Sequence, residues 1–170
     1  MSDLLNTINI RSTIRKYTDQ PLTDDEITTL VEAGLRAPTA RNSQEIHFSI
    51  VKRGNPVLDE LQKELNPDAP MKWYYDAPVV FFLSGSDYKW APVDAGIAVE
   101  NIHLAATAMG LGSVILGCVD GVLKGEHKAY FDEKLAIPEG YSYIIALAVG
   151  HKDTEKQQHT FDFEKNVSVL

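Results

Sequence analysis

The chain has little of what a cross-linked, membrane-bound or nucleic-acid-coating protein requires. Its 170 residues contain a single cysteine, Cys118, so no intrachain disulfide framework exists and a reducing, cytoplasmic setting is expected. No apolar run approaches the roughly 20 residues that cross a bilayer. The opening Met1-Ser2-Asp3-Leu4-Leu5-Asn6 lacks the basic and long apolar regions of a secretion signal. Positive charge is also scarce: 16 Lys and Arg against 24 Asp and Glu give a formal net charge of −8. General nucleic-acid or anionic-membrane binding rests on basic surfaces that release counterions, so both partners are excluded. An anionic ligand must be held by a local cluster instead. The five histidines (His47, His103, His127, His151, His159) show no metal-ligand spacing, and no metal site is expected. The glycine-rich strand-turn-helix fingerprint of dinucleotide folds is missing, as are internal repeats and low-complexity segments.

What is present is ordinary globular usage, 44% hydrophobic and 24% charged, enough for one domain over residues 1–170. Thr23-Asp24-Asp25-Glu26 reads as a capping box. It predicts a helix with an inner face of Ile27, Leu30, Val31 and Leu35, ended by the bias that Pro38 imposes on Ala37. Ile46 to Ile50 alternates as a half-buried strand. Asn55-Pro56 opens a helix with a stripe of Leu58, Leu61 and Leu65, and Pro78 to Leu83 suits a strand buried on both faces. Pro92 to Met109 is a helix of small side chains closed by Gly110. Such a stripe serves tight core packing or a dimer interface. Strands over Ser113 to Leu116 and Tyr143 to Val149 flank a helix near Glu126 to Lys134. After Gly150 the chain turns polar, then places Phe161, Phe163, Val167 and Val169 at even spacing. An apolar alternation of that kind docks on its own subunit or adds a strand to a partner's sheet edge.

The densest chemistry lies in Arg11-Ser12-Thr13-Ile14-Arg15-Lys16-Tyr17 and in Ala37-Pro38-Thr39-Ala40-Arg41-Asn42-Ser43-Gln44. Guanidinium forks, hydroxyls and a helix end are what a phosphate monoester needs, although short Arg-rich segments also serve as solvated surface. The two segments together resemble the nitroreductase-like family of FMN-dependent oxidoreductases, which opens with an Arg-x-Ser/Thr-x-Arg/Lys run and continues to an Ala-Pro-Ser/Thr-x-x-Asn-x-Gln loop. The likeness extends through Asp94 to Ala106, Gly110-Leu111-Gly112, Gly117, Leu135 to Gly140 and Ile144 to Gly150.

The resemblance implies an α+β fold, a central mainly antiparallel sheet flanked by helices, with residues 151–170 exchanged as a C-terminal arm in a homodimer. It implies FMN as cofactor and NADH or NADPH as electron donor, with no catalytic side chain because the flavin carries the chemistry. Carried over by position, Arg11 and Thr13 bind the phosphate and ribityl chain, with Ser12 contributing mainly backbone. Arg15 stands by the pyrimidine edge of the ring. Pro38, Thr39, Ala40 and Asn42 come from the other subunit, and Leu116 and Gly117 present backbone N–H to N5. Without the family, Leu116 and Gly117 are simply a strand end. Where the family supplies C-terminal Lys and Arg to the phosphate, this chain offers Lys156 and His159. It has Glu45-Ile46 where many relatives have Pro-Trp, so Glu45 either forms a changed pocket wall or faces solvent. The chain also lacks the long insertion that builds a lid. The expected activity is two-electron, ping-pong transfer to nitroaromatics, quinones or flavins. The alternatives are a flavin-storage protein and a specialised dehalogenating or flavin-degrading enzyme.

Overall fold

The sheet is built from the most apolar stretches of the chain. In the computed structural model, which describes residues 3–170, helix α1 spans Asp3–Ile10 and α2 spans Asp24–Leu35. A 3-10 turn at Ala40–Asn42 leads to β1 (Ile46–Lys52), α3 (Pro56–Leu65), β2 (Val79–Gly85) and α4 (Ala91–Ala108). Strand β3 (Gly112–Leu116), the short α5 (Asp120–Leu123), α6 (Lys128–Lys134), β4 (Ser142–Gly150) and α7 (Phe163–Asn166) complete the order. Met1 and Ser2, which open the segment read as lacking a secretion signal, lie outside the described residues.

The four strands pair antiparallel in the order β1-β2-β4-β3. Every residue of β2 is buried, because both sheet faces are covered. Val80 and Phe82 join Leu58, Leu61 and Phe131 under α3, α5 and α6, while Val79, Phe81 and Leu83 join Leu30 and Ile102 under α2 and α4. Side chains that alternate across a strand feed both cores in this way. Full burial of one such Leu or Phe stabilises the fold by about 1.5–3 kcal/mol.

Local signals set the helix ends. Thr23 Oγ1 accepts from the N–H of Glu26 while the Glu26 carboxylate accepts from the N–H of Thr23, and the Asn55 side chain accepts from the N–H of Val57 above Pro56. Gly110 takes the left-handed conformation (φ +76°) that ends α4. One expectation is corrected and one helix was not anticipated. Leu35 is 62% exposed and Gly34 holds the buried place on α2. Helix α1 carries no period strong enough to have been anticipated, and its Leu4, Leu5, Ile8 and Ile10 are exposed. The apolar tail forms no ladder pairing; its centre is the single turn α7, where the Asp162 carboxylate accepts from the N–H of Lys165. Phe161 and Phe163 remain exposed. No helix among the described residues is long and apolar enough to cross a membrane.

Candidate functional site along the β3 edge

The arginine-bearing segment docks on β3 at Ser113. Thr13 bridges Ser113 in the parallel sense, the N–H of Ile14 donates to the Ser113 carbonyl at 2.9 Å, and Tyr17 bridges Lys152. Gly112 makes this approach possible: a Cβ there would come within 2.6 Å of Ile14 Cγ2. Ile14 is buried, and the Tyr17 hydroxyl donates to its carbonyl at 2.7 Å, so the segment is fastened at both ends. The segment meets β3 only at Ser113 and then crosses toward the residues after β4, where the N–H of Thr18 donates to the His151 carbonyl and the N–H of Asp153 to the Lys16 carbonyl.

The cations meet different surroundings. Arg11 Nε lies 3.6 Å from the Glu100 carboxylate on α4, and the other Glu100 oxygen lies 3.8 Å from His103 Nδ1. Burial raises the Glu100 carboxyl above its ordinary range, and Arg11 opposes it. His103 is almost wholly buried, and its pKa falls to about 4, through burial first and the charge of Arg11 second. It is therefore a neutral imidazole beneath a cation. Arg15 has no carboxylate partner among the described residues; its guanidinium sits 5.9 Å from the centroid of the Tyr75 ring. Tyr75 and Asp76 both adopt left-handed backbone (φ +57° and +55°). Single left-handed residues of this kind cost of order 1–3 kcal/mol and cluster at functional sites.

Ser12 and Ile14 line a cavity of about 400 Å³ with Thr107, Lys152, Lys156 and Gln158. The structure thus brings Lys156 to Ser12. It does not bring His159, which packs edge-on to Phe161 at 6.4 Å between ring centroids. Lys152 joins the same wall, with its ammonium engaged by Glu155 at 2.8 Å. At the other end, the Leu116 carbonyl accepts from the Tyr143 hydroxyl at 3.3 Å, and a Cβ built at Gly117 meets nothing within 4 Å. The donor set of the first cavity, the hydroxyls of Ser12 and Thr107 with the ammonium groups of Lys152 and Lys156, fits a phosphate-bearing group.

The second segment occupies a different place. Thr39 and Asn42 line a cavity of about 280 Å³ with Gly34, Phe48, Asp94 and Ala98, and it shares no wall residue with the first. Buried Asp94 anchors this loop, accepting from the N–H of Ala40 with both oxygens at 3.0 and 3.1 Å. Arg41, Asn42 and Gln44 all have left-handed φ near +55°. In a single chain, Pro38, Thr39, Ala40 and Asn42 therefore stand apart from Arg11, Thr13 and Arg15. Glu45 lines neither cavity; its carboxylate accepts from Ser86 Oγ at 2.6 Å. Sequence reasoning missed Asp94, Glu100, His103, Tyr75 and Tyr143 as supports of the site. Only the three-residue spacing of Glu100 and His103 on one helix face hinted at any of these contacts.

A cavity lined by Ser12, Lys152 and Lys156 beside an antiparallel sheet defines an α+β protein with a basic, hydroxyl-bearing pocket. The chain belongs to the Nitroreductase family, which matches residues 8–151. A protein of Archaeoglobus fulgidus, provisionally named an NADH dehydrogenase/NAD(P)H nitroreductase, is 32% identical over 95% of this chain and 92% of its own length. The NADPH-flavin oxidoreductase of Vibrio harveyi is 30% identical over 90% of this chain and 67% of that protein. The crystal structure of a nitroreductase with bound FMN from Desulfitobacterium hafniense superposes with a TM-score of 0.88 at 23% identity, over 100% of this chain and 99% of that one. At that identity the likeness is one of fold.

Proposed function

We propose that the protein is an FMN-dependent NAD(P)H oxidoreductase that works as a homodimer in the cytoplasm. The observation that carries this reading is the docking of Thr13 and Ile14 on Ser113 of β3, which sets Ser12 in one cavity with Lys152 and Lys156 and holds Arg11 beside α4. FMN, when bound, supplies hydride chemistry between a reduced nicotinamide and a second substrate.

The protein's own residues bind and tune. Arg11 and Lys156 hold the phosphate, with Ser12 and Thr13 adding hydroxyl and backbone bonds; a hydrogen bond to a charged group contributes about 1.5–3 kcal/mol. Arg15 places a positive charge beside the pyrimidine edge, where the ring gathers negative charge on reduction, and so favours electron uptake. Leu116 and Gly117 present backbone N–H to N5. Pro38, Thr39, Ala40 and Asn42 reach the ring from the partner, since within one chain Thr39 and Asn42 line a separate cavity. The arm of residues 151–170 crosses to that partner, which would cover Phe161 and Phe163. With no long lid insertion the pocket is open, and donor and acceptor take turns over one face in ping-pong order. Small acceptors such as nitroaromatics, quinones and free flavin fit this reading.

An absorbance spectrum of the purified protein, before and after reduced nicotinamide, tests it. A yellow protein that bleaches with NADH or NADPH and releases FMN on denaturation is expected. Failure to take up added FMN would overturn the cofactor assignment. Bound flavin that reduced nicotinamide leaves oxidised would identify a storage protein instead.

A further inference from the structure

We propose that Tyr143 is a positioning residue that fixes the direction of the flavin-facing amide at the end of β3. The proposal rests on the reading of Leu116 and Gly117 given above, and it assigns a role to a residue that lines neither cavity.

Leu116 is the last paired residue of β3, opposite Ala146. Beyond it the ladder no longer constrains the backbone, and Gly117 has no side chain to do so. The Tyr143 hydroxyl takes over: it donates to the Leu116 carbonyl at 3.3 Å from within the core. A peptide unit is planar and trans, so its C=O and the following N–H point in opposite directions. A carbonyl anchored inward therefore turns the Gly117 N–H away from the core, and the position a Gly117 Cβ would take meets nothing within 4 Å.

The anchor is itself rigid. Tyr143 is 1% exposed, packs edge-on to Phe82 and carries the Lys124 ammonium 5.7 Å from its ring centroid. Burial lifts its phenol far above the ordinary range, so the hydroxyl stays a donor at any working pH. An irregularity in the strand aims it. Ile145, Leu147 and Val149 face α2 and α4, and strict alternation would send Tyr143 to that side as well. The register between β2 and β4 shifts at Leu83/Ser84, and Tyr143 instead joins Ala146 and Ala148 on the opposite face, beneath Leu116. Bulges commonly re-aim one side chain in this manner.

The consequence concerns redox balance. N5 of oxidised FMN accepts a hydrogen bond, whereas N5 of the reduced ring carries a hydrogen and donates. An amide N–H held in place thus favours the oxidised form, and the Tyr143 anchor lowers the midpoint potential. In Tyr143→Phe the ratio of the dissociation constants for oxidised and reduced FMN should shift about threefold toward the reduced form. For a two-electron couple that is a rise of about 14 mV, measured by dye-referenced reduction. Replacing Tyr143 by a fluorinated tyrosine, which keeps the packing and strengthens the donor, should move the potential the opposite way and decides the matter if Tyr143→Phe folds poorly. FMN titration of 15N-glycine-labelled wild-type protein separates the two layers of reasoning. A Gly117 amide resonance that does not respond to FMN would overturn the site reading and this proposal with it. A responding amide with potentials unchanged by the substitution would overturn this proposal alone.

Discussion

Acid should unfold this protein partly through one buried imidazole. His103 has its folded pKa depressed to about 4 from an ordinary 6.5, chiefly by burial and secondarily by Arg11. Between those values the unfolded chain binds a proton that the folded chain refuses. Stability is therefore fully present above about pH 6.5 and is lost as the pH falls toward 4. At about 1.4 kcal/mol per pH unit, the loss between pH 7.5 and pH 5 is about 2 kcal/mol, and on the order of 3 kcal/mol once His103 is charged in both states. His103→Leu removes the titrating group. Glu100 touches His103 and is shifted in the opposite sense, so the comparison belongs in a Glu100→Gln background. Urea unfolding at a series of pH values then gives the difference between the two proteins. It should widen steadily in favour of the leucine substitution below pH 6.5. Parallel stability profiles from pH 7.5 to pH 4.5 would refute the assignment of a neutral, proton-excluding His103.

Two further outcomes follow from the same geometry. Asp94→Asn keeps the shape but weakens the charged double bond to the Ala40 N–H; it should cost about 1–2 kcal/mol of stability in thermal unfolding and loosen FMN retention, since the left-handed loop at Arg41 and Asn42 loses its anchor. Truncation after Lys156 should lower both dimer stability and flavin retention, and a stable monomer by sedimentation that still holds FMN would contradict the shared site.

Much of the scaffold was legible because its signals are local. The Thr23 to Glu26 box, Pro56 after Asn55, and the left-handed Gly110 each act within a few residues. The apolar run of β2 could be recognised because a strand covered on both faces needs no alternation. Local patterns misled where tertiary context decides. Leu35 fits the helical stripe but stands exposed as the last residue of α2, where Gly34 takes the buried place. The segment at Arg11 was readable as a motif, yet its supports were not: Asp94 meets Ala40 across 54 residues, and Tyr143 reaches Leu116 only through a register shift. Charge pairs and hydroxyl contacts at such separations carry no period for a sequence to display.

The central claim is that the segment at Arg11 to Thr13, docked on β3 at Ser113, holds the phosphate of FMN. Titrating the wild-type apoprotein and Arg11→Ala with FMN and with riboflavin, which lacks the phosphate, tests it most directly. The wild type should prefer FMN over riboflavin, and Arg11→Ala should weaken FMN binding by about 1.5–3 kcal/mol, roughly 10- to 150-fold, while leaving riboflavin affinity nearly unchanged. Equal affinities of the wild type for the two flavins, or an Arg11→Ala protein that keeps its full preference for FMN, would contradict it.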